Sequence, residues 1–88
     1  MSKKLLLLPL LFIASYSYAD PQCTQMPETQ WMPFATAKQQ IVDQGYTIKK
    51  FKKTSTNCYE LYGHDSNGKR VEIYFNPTDM SVIKEERE

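Results

Sequence analysis

The sequence predicts an α+β fold, with one N-terminal helix packed on a three- to four-stranded antiparallel β-sheet meander. Three observations predict it. An apolar stripe at helical spacing, Phe34, Ala37 and Ile41, gives way after Gly45 to segments that alternate with a period of 2. Two such segments, 58–64 and 70–75, flank Asp65-Ser66-Asn67-Gly68, the strongest turn signal in the chain. The helix stripe and the face bearing Tyr59, Leu61, Val71, Ile73 and Phe75 each need an apolar partner, and each can serve the other.

The first element is not part of that fold. Lys3 and Lys4 precede an apolar run over residues 5–14, and Ser17-Tyr18-Ala19 places small residues where a signal peptidase reads. Residues 1–19 are therefore predicted to be a signal peptide, cleaved near Ala19 and before Asp20. The apolar run of about ten residues is half of what a membrane-crossing helix needs. No stable membrane insertion is expected after cleavage. No cysteine stands at the cleavage point, so lipid attachment is not expected either. The predicted location is the periplasm, or the medium after secretion. Losing Lys3 and Lys4 takes the formal charge from +1 to −1, which is no footprint for nucleic acid.

Cys23 and Cys58 both lie in the mature part. Two cysteines in a small exported domain are expected to pair with each other. Closing a loop of ~36 residues stabilises a fold by roughly 3.8 kcal/mol in the chain-entropy model. That matters where a single core supplies only about 3–5 kcal/mol. Residues 20–32, with Pro21, Pro27 and polar neighbours, read as an irregular arm tied by this bridge, and 33–88 as the folded domain.

Pro33 suits the first turn of the helix because its φ is fixed and its missing N–H is not needed there. Gly45 is the expected left-handed cap, giving a helix of about 11 residues. Residues 46–53 form the first strand, with Tyr46 and Ile48 on one side and Lys49 and Phe51 on the other. The run Lys49-Lys50-Phe51-Lys52-Lys53 suits a solvated edge, since edge lysines block unwanted pairing. A polar turn over 54–57 leads to the second strand. Pro77 ends the third, because it cannot donate to a ladder. Residues 81–84 are a short fourth strand before the charged tail. Trp31 is placed to cap one end of the core, where its indole N–H needs an acceptor.

Cys58-Tyr59-Glu60-Leu61-Tyr62-Gly63, the turn ending Asn67-Gly68-Lys69-Arg70, and Val71-Glu72-Ile73-Tyr74-Phe75-Asn76-Pro77 together resemble the PepSY family. The likeness is to its short stand-alone periplasmic proteins, includes the Gly45-Tyr46 opening of the first strand, and spans about residues 31–84. It implies a non-enzymatic module that binds or inhibits peptidases at the cell envelope, or serves as an accessory to a membrane protein there. Two departures, Asn76 for the usual Asp before Pro77 and Asp79-Met80 for Thr-Gly, predict a looser final turn.

No catalytic set is present in the sequence: His64 is the sole imidazole and lies beside a turn, and no nucleophile motif accompanies it. No enzyme activity and no cofactor are predicted. The competing class is a metal- or haem-handling accessory of an envelope redox system, which would draw on His64 with a methionine (Met26, Met32 or Met80) or a tyrosine within reach. The leading candidate for function is the sheet face that a single helix leaves uncovered. Glu60, Tyr62, Arg70, Glu72 and Tyr74 are assigned to it as a partner-binding face, tyrosines among charges being typical of interfaces. Glu60 and Glu72, facing one another across the hairpin, are expected to be solvated.

Overall fold

The computed structural model describes residues 20–88, and the predicted signal peptide lies outside the described residues. Helix α1 spans Phe34–Asp43. Four strands follow, β1 Thr47–Lys53, β2 Tyr59–His64, β3 Arg70–Phe75 and β4 Val82–Arg87. They form an antiparallel meander in the order β1-β2-β3-β4. The predicted class is the observed one, with the fourth strand present and longer than expected.

Pro33 stands one position outside α1, as its N-cap with an extended ψ of 141°. Its carbonyl accepts the first helical bond, from Ala37 N–H at 2.9 Å. At the other end Gly45 has φ of 100°. That left-handed turn lets Gly45 N–H reach Val42 O at 3.0 Å and Tyr46 N–H reach Ile41 O at 3.3 Å, which closes the helix in a Schellman motif. Ala37 and Ile41 are the buried face of α1. They meet Leu61, Val71, Ile73, Phe75 and Tyr59 from the sheet. Burying side chains of this size stabilises the fold by roughly 1.5–3 kcal/mol each.

Trp31 closes one end of this core. It packs edge-on to Tyr59 at 5.7 Å, and its indole N–H finds Met26 O at 2.9 Å. Phe34 stacks on Phe51 beside them. The position of Phe51 corrects the predicted alternation. A β-bulge at Lys49, between the pairs Ile48↔Gly63 and Lys50↔Tyr62, adds one residue to β1. Ile48 and Phe51 therefore both pack against the core, where strict alternation separates them. The bulge also explains Gly63: a Cβ there would lie 2.0 Å from Thr47 O.

Two turns differ in detail from expectation. In the β2–β3 hairpin only Gly68 takes a positive φ, 83°. Asp65 organises the loop, its Oδ1 accepting from the N–H groups of Asn67 and Lys69 at 2.9 Å each, which lowers its pKa. The β3–β4 turn is well bonded and not loose. Asn76 Oδ1 accepts from Thr78 N–H and Oγ1, the role an Asp would play. Met80 adopts φ of 62° where glycine is favoured, and its side chain joins the core.

The arm is tied as predicted. Cys23 and Cys58 form a disulfide. Around it Cys23 N–H bonds Thr56 O at 3.2 Å, and Asn57 Nδ2 donates to Thr24 O at 3.2 Å. From there the arm passes a 3-10 turn at Glu28–Gln30 and reaches the helix side, where Met32 N–H bonds Pro77 O. It thus touches both faces of the sheet.

Candidate functional site

On the face away from α1 the strand register aligns Lys52↔Glu60↔Tyr74↔Lys84 in one row and Lys50↔Tyr62↔Glu72↔Glu86 in the next. His64↔Arg70 forms a third row at the hairpin end. Cys58 lies two residues before Glu60 and so shares this face. The disulfide accordingly brings the start of the arm across it. The five residues assigned to an open partner-binding face fall into two environments.

Glu60 and Tyr74 are covered, at 2% and 6% exposure. The expectation that they face solvent is corrected by the arm, whose Cys23 clusters with Cys58 and Tyr74. Tyr74 Oη lies 3.0 Å from Asp20 Oδ1 and 3.0 Å from Glu72 Oε2. One phenol proton thus faces two carboxylate acceptors. Glu60 is the third acid. Its Oε1 is 3.7 Å from Lys52 Nζ, and its Oε2 is buried without a hydrogen-bond partner. Burial, and then the adjacent Glu72, pushes the Glu60 carboxyl above its usual range. The Glu60 carboxyl in turn holds Glu72 below its own. Glu60 is therefore buried and Glu72 half-buried beside it, contrary to the solvated pair expected. Tyr74 is raised, chiefly by burial and then by Glu72, so it stays a neutral donor.

Tyr62 and Arg70 lie in the open half. Tyr62 is 36% exposed and borders a depression of about 610 Å³. Lys49, His64 and Arg70 contribute its basic lining, and Glu72, Glu86 and Glu88 its acidic lining. Arg70 is paired with Glu88, and Arg87 with Asp65, which anchors the end of β4 to the hairpin. The phenol of Tyr62 is raised by the carboxyls of Glu60 and Glu72 beside it. It remains a donor on an accessible aromatic ring. The bulge that turns Phe51 inward also places Lys49 at the rim.

The methionines of the competing metal reading do not gather around His64. Met80 and Met32 pack with the core, Met26 is exposed on the arm, and His64 lies by the hairpin. Among the described residues no group of three or more His, Cys, Asp or Glu is arranged to hold a metal ion. No helix among them is long and apolar enough to cross a membrane.

A family model described as peptidase propeptide and YPEB domain, PepSY_2, matches residues 4–86, nearly the whole chain. The chain belongs to the PepSY family. No curated protein and no solved structure gives a significant match. PepSY domains are regulatory or propeptide-like modules associated with peptidases, typically extracellular or periplasmic. In this PepSY domain the hairpin that carries the family's sequence pattern also carries both halves of the outer face. The residues that sequence reasoning missed are Asp20, Glu86 and Glu88. Only the position of Cys58 on the outer face pointed to Asp20, because a bridge from there must bring the arm along.

Proposed function

We propose that this PepSY domain is an exported, non-enzymatic module that binds a peptidase of the cell envelope and restrains it. The open half of the outer sheet face is the contact surface. The observation that carries this reading is Tyr62, accessible at the edge of a depression of about 610 Å³ lined by both basic and acidic side chains, Lys49, Arg70 and Arg87 with Glu72, Glu86 and Glu88. A rigid aromatic ring buries a large area at small entropic cost, and charges around it set orientation and partner choice. The face sits on paired strands and not on loops, so little conformational freedom is lost when a partner docks. The family's association with peptidases supplies the partner class.

Inhibition is the direct test. Adding the purified domain to envelope peptidases of the producing cell is expected to slow casein hydrolysis. The double variant Tyr62→Ala, Lys49→Glu is expected to lose that effect while melting within a few degrees of the parent, as for ordinary surface substitutions of about 0.5 kcal/mol. Absence of inhibition by the parent, or equal inhibition by the variant, contradicts the proposal.

A further inference from the structure

Among the described residues, the acid cluster under the arm leaves one buried acceptor, Glu60 Oε2, without a partner. Asp20 and Glu72 converge on the Tyr74 hydroxyl, which has one proton to give, and Glu60 stands opposite Tyr74 across the hairpin. Glu60 is 2% exposed, and its Oε2 has no partner. Of the basic groups on this face, Lys52 lies against the other Glu60 oxygen. Lys84 is 3.7 Å from Glu86 and sits over the Tyr74 ring. A buried carboxyl oxygen left without a donor costs free energy, and sites of this kind are completed by a charged or polar ligand.

Asp20 is also the residue that follows the predicted cleavage point. Its backbone nitrogen lies within about 4 Å of its own carboxylate by covalent geometry. It is therefore roughly 7 Å or less from the Tyr74 hydroxyl that holds that carboxylate. In the precursor this nitrogen is an amide. In the processed chain it is an ammonium, carrying a positive charge and three donors.

We infer that the side-chain cluster of Glu60, Glu72 and Tyr74 is an ammonium site, and that its ligand is the α-amino group of Asp20 released by removal of the leader. The inference rests on the export reading above. Processing then completes the buried acid cluster and strengthens the hold on the arm already docked by the disulfide, so that the mature chain is more stable than the same fold with a blocked N-terminus. The disulfide holds the new terminus nearby, and the ion pair is formed within the chain and not by a diffusing cation.

The pH dependence has a definite sign. The groups facing the site are Asp20 on the arm, Lys50 and Lys52 on β1, Glu60 and Tyr62 on β2, Glu72 and Tyr74 on β3, and Lys84 and Glu86 on β4. An ammonium among these acids binds its proton more tightly in the folded state. The added stability is thus fully present below the ordinary α-amino pKa of about 7.7–8.0 and is lost as pH rises through the folded value.

The test compares the chain beginning at Asp20 with the identical chain N-acetylated at Asp20. The two are made by joining peptides at Cys58 and oxidising the bridge. A rise of about one unit in the α-amino titration corresponds to roughly 5–10 °C of melting temperature in a domain this small. The free form is expected to melt higher by that amount near neutral pH. The gap should close above about pH 10 and shrink in Glu60→Gln. Its α-amino group, followed by nitrogen NMR, should titrate above the ordinary range. Equal melting of the two forms near neutral pH, or an ordinary titration, overturns the inference. The intact mass of the exported protein tests the premise separately. A product starting at Asp20 upholds it, and a product starting elsewhere overturns the inference through its premise, whatever the synthetic chains do.

Discussion

Tyr62 and Tyr74 occupy the same face, on adjacent strands and two residues apart in register, and the structure gives them opposite tasks. Tyr74 is covered by the arm and holds Asp20 and Glu72 through one hydroxyl. Tyr62 keeps an accessible ring. Truncating Tyr74 to Ala is therefore expected to cost about 3–5 kcal/mol, as for other buried aromatic side chains. Tyr62→Ala is expected to cost less than about 1 kcal/mol. Thermal melts of the two variants check this, and equal losses would show that the arm does not divide the face. The alternation of residues 58–64 and 70–75 places both tyrosines on one face, and that much was legible in the sequence. Their different burial was not, because it depends on where a remote segment lies. Only the bridge between Cys23 and Cys58 hints at it.

At the scale of the elements, the sheet was readable wherever strands alternate without interruption. β2 and β3 match expectation residue for residue in their facing. β1 does not, because the bulge at Lys49 shifts Phe51 to the core side, and a bulge leaves no mark in a count of alternating residues. Gly63, opposite Ile48, is its structural partner. With Thr47 O at 2.0 Å from where a Cβ would stand, Gly63→Ala forces the two backbones apart. The expected loss is about 1–3 kcal/mol, typical of overpacking, despite the smallness of the added group. Urea unfolding measures it, and a neutral result would place the bulge elsewhere. The final turn carries a similar lesson. Met80 tolerates a left-handed φ that costs roughly 1 kcal/mol or more, because its side chain is buried among core residues. Sequence departure from a glycine there signalled looseness, but burial and the Asn76 hydrogen bonds outweigh it.

The whole molecule is a thin two-layer core with its arm wrapped around one end. One ten-residue helix covers part of a four-stranded sheet, so the hydrophobic core is small for the number of ordered residues. The disulfide closes a loop between residues 35 apart in sequence, and it also holds the arm over Glu60 and Tyr74. Reduction is expected to remove about 3–4 kcal/mol, together with the covering of the buried acids. Melting under reducing conditions should fall by more than 10 °C or so; an unchanged melting temperature would mean that the arm stays docked without its tether. The half of the outer face that the arm leaves open is the contact surface of the proposed binding role, and it includes residues of the β2–β3 hairpin.

The most direct measurement is photo-crosslinking in intact cells, with a photoreactive residue at position 62 and, as a control, at Val42, which is exposed on the helix. A binding role through the open face predicts one discrete adduct with an envelope peptidase from position 62, none from position 42, and its loss when Lys49 is changed to Glu. An absence of adducts from position 62, or the same adducts from both positions, would contradict it.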